Sequence, residues 1–186
     1  MPKYYTYTKP DMNAIFSELV ANVSDKIADT VLEPKGFTSG IHFEDDTWSK
    51  LMIRLSEMNK SKESKGSKYP LIALIRNFTL KNDGKTKNYT TSIDLVVANL
   101  TDPNWYGDKR RTENFEPLLE PIYSQLMLEV SECGHFLGHV DGYYPHECID
   151  DYHMTEQQST YKTPDFLDAI IIKGLQLTVK PNFINC

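Results

Sequence analysis

Apolar residues recur every three or four positions from Met12 to Ile27: Met12, Ile15, Phe16, Leu19, Val20, Val23 and Ile27. That spacing lines them along one stripe of a helix about five turns long. Asp11 stands immediately before the stripe, where a carboxylate accepts from the first free N–H groups. Pro34 and Gly36 end the run. A short extended piece at 40–44 leads to Asp45, Asp46 and Thr47, which offer caps. Trp48, Leu51, Met52, Leu55 and Met58 then give a second helix its apolar face. The stretch NKSKESKGSK (59–68) has no apolar period and reads as a solvated loop.

The pattern changes at Tyr69. YPLIALIRNFTL (69–80) is apolar on both faces over its first half, which marks a central strand. Asp83-Gly84 is a hairpin turn signal, and NYTTSIDLVVANL (88–100) is the return strand, so a long hairpin is predicted. Phe115, Leu118, Leu119, Ile122, Tyr123, Leu126, Met127 and Val130 form the stripe of a third helix. Thr112 or Asn114 would cap it, Pro117 fits its first turn, and Pro121 should kink it or delay its start. Residues 133–164 read as irregular. LDAIIIKGLQLTVK (167–180) alternates as a last strand able to pair with the hairpin. The order predicts a single α+β domain over 11–186: a small antiparallel sheet with a long hairpin and helices packed on one face. Residues 1–10 read as a flexible arm, made adhesive by Tyr4, Tyr5 and Tyr7.

Composition narrows the class. At 186 residues, 40% hydrophobic and 25% charged, the chain is globular and suits one domain. No apolar run approaches the roughly 20 residues that cross a bilayer, and MPKYYTYTKPDM has no apolar stretch behind a basic start, so an intracellular origin is expected. A net charge of -6 makes the chain a poor wrapper of nucleic acid, since phosphate neutralisation supplies most of that affinity. Its three cysteines are an odd number, which argues against a disulfide framework.

Two places carry candidate chemistry. The window Cys133–His153 holds four of the five histidines, and a metal set of His135, His139, Cys148 and His153 supplies the ligand types zinc takes. The spacing is against it: no pair has the two-residue gap of a zinc knuckle, and Gly134 and Gly138 break the helix that a His135–His139 pair would need. Metal binding, as a zinc domain or a metal-dependent enzyme, is therefore the alternative reading. No phosphate-binding glycine loop, nucleophile elbow or convergent carboxylate set is present, and no cofactor is expected. The second place is the loop TDPNWYGDKRRTENF (101–115). Trp105, Tyr106, Arg110 and Arg111 are residue types enriched at interface hot spots. The other reading of the loop folds Trp105 back on the core and pairs the arginines with Glu113 or Glu116.

The runs YPLIALIRNF, TSIDLVVANLTDP, RRTENFEPLLEPIYSQLM and LDAIIIKGLQLTV resemble a family of short neck proteins of tailed phages and prophages of Bacteroidetes-type bacteria. The element order is similar to that of tail terminator, or tail completion, proteins. The resemblance covers the chain from Tyr69 onward plus the first helix. It implies a non-enzymatic virion structural protein, assembled in the host cytoplasm. Six copies would form a ring that caps the tail tube and meets the head-completion or connector proteins. DNA would pass through the lumen without specific binding, and no membrane would be involved. The long histidine-rich loop departs from the resemblance.

Overall fold

The computed structural model describes residues 5–58, 60, 67–82, 84–137, 144–150, 152 and 165–185, with side chains described from Thr8 to Pro181 within those ranges. Among the described residues there are nine strands and four α-helices; the predicted elements keep their order, and short strands at 5–8, 136–137, 147–149 and 182–185 are added, two of them inside the 133–164 stretch expected to be irregular. The strands are β1 (Tyr5–Thr8), β2 (His42–Asp46), β3 (Leu71–Ile75), β4 (Lys81–Asn82), β5 (Tyr89–Leu100), β6 (Phe136–Leu137), β7 (Glu147–Ile149), β8 (Leu167–Val179) and β9 (Asn182–Asn185). The helices are α1 (Met12–Lys26), α2 (Trp48–Met58), α3 (Gly107–Arg110) and α4 (Glu120–Glu132).

Local chemistry explains the first helix. Asp11 Oδ1 accepts from the Asn13 and Ala14 N–H groups at 3.0 and 3.3 Å, as its capping position requires. After α1 the helix widens into a π segment, Ala28–Leu32, and a 3-10 turn, Glu33–Lys35. Gly36, at φ 84°, then stops it in the left-handed conformation that glycine adopts freely.

The main sheet has the order β2-β3-β5-β8-β6, with β4 also on β5 and β7 also on β8. The predicted hairpin is present, as β3 and β4 both pair antiparallel with β5. The last strand, β8, pairs with β5 along nearly its whole length. At Asp94 the β5–β8 register shifts. Gly174 takes φ 67° there, and Asp94 Oδ1 accepts its N–H at 2.8 Å. A glycine in the left-handed region with a strand-to-strand carboxylate bond is the chemistry of a bulge that adds twist.

Two features correct the sequence-based picture. The sheet is mixed, because β2 and β3 run parallel, and its helices lie on both faces. These are one fact: parallel neighbours need a crossover, here α2, and a crossover helix must lie on a face. On one face α1, α4 and the helical turn before it pack over Ile72, Leu74, Ile93, Leu95, Val97, Ile170 and Ile172. On the other, Leu51, Met52 and Leu55 of α2 pack over Leu71, Ala73, Ile75, Val96, Ala98, Ala169 and Ile171. All five β3 residues are buried in consequence.

The third helix also differs. It begins at Gly107, with neither Thr112 nor Asn114 as its cap. The rod runs through α3, a nine-residue π segment Arg111–Leu119 and α4 without a break. Pro117 lies inside the π segment. Proline lacks an N–H and collides with the carbonyl four residues back, so a wider turn absorbs it. The Glu120 N–H accordingly reaches Phe115 O, five residues back. Pro121 is the second residue of α4, so the rod carries a second residue with no N–H to donate, one turn after the first.

The N-terminal arm is not free along its described part. β1 pairs antiparallel with β9, Tyr5 opposite Asn185 and Thr8 opposite Asn182, as a two-stranded sheet of its own.

Candidate functional site: an aromatic loop on a buried ionic clamp

Strand β5 leaves the sheet at Leu100 and the chain turns through Thr101–Tyr106 into α3. Asp102 builds the turn: its Oδ1 accepts the Asn104 N–H at 2.9 Å, and its carbonyl accepts the Trp105 N–H at 3.0 Å. Thr101 N–H donates to Phe166 O at 2.9 Å, tying the loop to the entry of β8. Tyr106 is 88% exposed, and Leu100 and Phe166, at 45% and 41%, are exposed at the strand ends from which the loop departs. Trp105 is half-buried, with the Lys109 ammonium 5.0 Å from its ring centre, a cation–π distance.

Beneath the loop lies a polar network in an otherwise apolar layer. Arg110 is only 2% exposed and Asp168 is fully buried. The Arg110 guanidinium donates from Nη1 to Asp168 Oδ1 at 2.8 Å and from Nε to the Trp105 carbonyl at 2.8 Å. Asn114, on the π segment, donates to Asp168 Oδ2 at 2.8 Å and accepts from Asn99 Nδ2 at 2.9 Å. Asn99 and Asp168 are direct partners across β5 and β8. One arginine thus joins a buried carboxylate on the sheet to the backbone of the exposed loop. Charge-assisted bonds of this kind are short and directional, so Trp105 and Tyr106 are held in place.

The four residues singled out from this loop therefore divide. Tyr106 is exposed and Trp105 half-exposed. Arg111 is exposed and donates from Nε to Glu116 Oε1 at 2.7 Å, one of the pairings considered from sequence. Arg110 is corrected: being buried, it offers no surface to a partner and acts as the clamp. Sequence reasoning missed Asp168, Asn114 and Asn99. A signal existed in LDAIII and VVANL, where a charge or amide inside an apolar strand must find a buried partner. Which residue would answer it depends on the helix above.

Of the candidate metal ligands only His135 and Cys148 are described, and these two are not brought together. His139 and His153 lie outside the described residues. His135 immediately precedes Phe136, which pairs with Val179, whereas Cys148 pairs with Ile170. Those positions on β8 are nine residues apart, or about 30 Å at strand rise. Among the described residues no group of three His, Cys, Asp or Glu could hold a metal. Burial pushes the Cys148 thiol up, and Glu120 and Asp150 add to the shift. A nucleophilic cysteine needs the opposite surroundings. His146 lies against Tyr123, the ring centres 4.1 Å apart and the planes tilted by 42°.

A second charged group sits on edge strand β2. Arg54 donates to Glu44 Oε2 at 2.6 Å and lies 3.3 Å from Asp46, while Arg76 forks onto Asp45. The hydrogen bond with His42 and then those with Arg54 hold the Glu44 carboxyl below the usual carboxylate range, against burial that pushes it up. A lowered folded value stabilises the protein above the ordinary carboxylate value of about 4.3, and the contribution is lost as pH falls through the folded value. Glu44→Gln should therefore cost about 1 kcal/mol near neutrality and less near pH 3. Urea midpoints at the two pH values check this, and a pH-independent difference would refute it.

Among the described residues no helix is long and apolar enough to cross a membrane. Comparison of the chain with protein-family models, with curated proteins and with solved structures finds no match. The class that the fold defines is thus a mixed α+β domain with a curled sheet between helical layers.

Proposed function

We propose that this chain is a structural subunit of a phage neck or tail terminus. It works as a ring of about six copies that caps the tail tube and meets the head connector. The observation that carries the reading is the clamped loop. The buried charges of this region, Arg110 and Asp168, bond to each other, to Asn114 and to the Trp105 carbonyl, and so fix an aromatic loop at the surface. A pre-set Trp–Tyr pair beside exposed Leu100 and Phe166 is the composition of an interface anchor, because ordering costs are met before binding. The resemblance of the sequence to tail completion proteins supplies the setting. The net charge of -6 suits a lumen that lets DNA pass without holding it.

The test is mass in solution by light scattering, with electron microscopy of the same fraction. The wild-type chain should assemble with increasing concentration into rings of about six copies. Tyr106→Ala, at an exposed position, should leave the melting temperature unchanged and weaken assembly by about 30-fold, as loss of an anchor worth 2 kcal/mol does. A wild-type protein that stays monomeric both alone and with tail-tube and connector proteins would defeat the reading.

A further inference from the structure

Between β3 and β4 the chain leaves its place beside β5. Ile75 pairs with Asp94 and Lys81 with Thr90, so the five residues 76–80 stand opposite only three, Thr91, Ser92 and Ile93. Asn77 fixes the detour: its N–H donates to Ile75 O at 2.9 Å, and its Nδ2 donates to Asp94 Oδ2 at 2.7 Å. On its other side β5 stays paired with β8 through the same three residues. In an antiparallel ladder alternate residues turn both N–H and C=O toward the same neighbour. At least one of the three therefore turns a donor and an acceptor toward the vacated side. Among the described residues no backbone hydrogen bond from 76–80 meets them.

The gap opens into a cavity of about 330 Å³. Its lining is four hydroxyls, the amides of Asn77 and Gln176, the Phe78 ring and the Lys81 ammonium, with no carboxylate. The Asp94 carboxylate at the gap's edge is engaged within the chain, by Asn77 and by the Gly174 N–H. Thr91 is the buried member of the lining, 5% exposed, and its Oγ1 has no hydrogen-bond partner, which is unusual for a buried hydroxyl. Small-molecule pockets of roughly 300–1,000 Å³ are mostly apolar. This one has the reverse composition, so its ligand must be rich in neutral donors and acceptors. A single exposed ammonium, without a buried cation or a helix N-terminus, does not make an anion site. Sugar hydroxyls donate and accept at once, as hydroxyl, amide and main-chain partners require, and the C–H face of a sugar ring suits the negative face of Phe78.

We infer that this gap in the ladder binds one saccharide unit, held by the free main-chain groups, the Thr91 and Ser92 hydroxyls and the Gln176 amide, with Phe78 against its C–H face. The site is separate from the Trp105 loop and does not depend on the assembly reading.

Glucose, galactose, N-acetylglucosamine and glucuronate, titrated one at a time into the isotope-labelled full chain, test it. Relaxation-optimised amide spectra serve whether the chain is a monomer or a ring. At least one sugar should shift the amides of 77–81, 90–92 and 176, with a dissociation constant on the order of 1 mM. Ser92→Ala and Thr91→Val should each weaken that sugar by about tenfold, the loss of one hydrogen bond. Thr91→Val should keep or raise the melting temperature, because the hydroxyl it removes has no partner within the chain. Lower melting with unchanged sugar binding in Thr91→Val would give the hydroxyl a purely structural role and overturn the inference. A panel in which no sugar shifts these amides, or in which the shifts lie elsewhere, would overturn it too. So would equal shifts with sodium phosphate that vanish in Lys81→Gln, which would mark an anion site.

Discussion

Arg110→Ala should destabilise the protein by about 3–5 kcal/mol, a large part of the 5–15 kcal/mol typical of a domain. Asp168 is fully buried, and without the guanidinium 2.8 Å away its remaining side-chain hydrogen bond in the network is from Asn114. The cost comes from the stranded carboxylate more than from the lost attraction. Exchanging both partners for apolar residues, Arg110→Met with Asp168→Leu, should therefore cost less than either single truncation. The loop supplies a second readout. Arg110 also bonds the Trp105 carbonyl, so amide exchange at 102–110 should accelerate in Arg110→Ala and stay fast in the double variant. Urea unfolding and hydrogen exchange measure the two effects. A loss below about 1 kcal/mol, the scale of an exposed pair, would mean that the ion pair is not the clamp.

Phe16→Ala should cost a similar amount, about 3–5 kcal/mol, through transfer and cavity terms together. Phe16 is fully buried on α1, its ring centre 6.2 Å from that of Phe136. It joins α1 to the start of β6, so its loss leaves a void where helix and sheet edge meet. Leu128→Ala, at a position 41% exposed, should change stability by only a few tenths of a kcal/mol. Denaturant midpoints of the pair decide whether α1 is a packed layer of the core, and equal small effects would say that it is not.

Much of this architecture was legible before folding. The α1 stripe with its Asp11 cap, the choice of helix over 48–58, the return strand and the last long strand all rest on local periodicity and turn chemistry. Such signals are written in neighbours along the chain. The placement of helices on both faces was half legible. LIALI reads as buried on each side, and a strand buried on both faces needs a layer above and a layer below. The antiparallel expectation concealed this, because parallel pairing of β2 with β3 depends on where α2 crosses. The π segment was not legible either: Pro117 in a stripe of Phe115, Leu118 and Leu119 could end a helix, start one or widen one. Packing on β5 and β8 selected the third.

The candidate site divides in the same way. Its aromatic, exposed half is announced by the turn signals and residue types of TDPNWYGD, which act locally. Its buried half is not. Arg110 and Arg111 are adjacent and chemically identical, yet one is 2% exposed and bonded to Asp168 while the other lies in solvent beside Glu116. What separates them is rotation about a helix axis. One residue step turns the side chain by about 100°, and only the sheet beneath decides which direction is inward. Elements and their faces are properties of residues a few positions apart. The meeting of Arg110, Asn114 and Asp168 joins parts of the chain up to 58 residues apart, so it exists only once sheet and helix have packed.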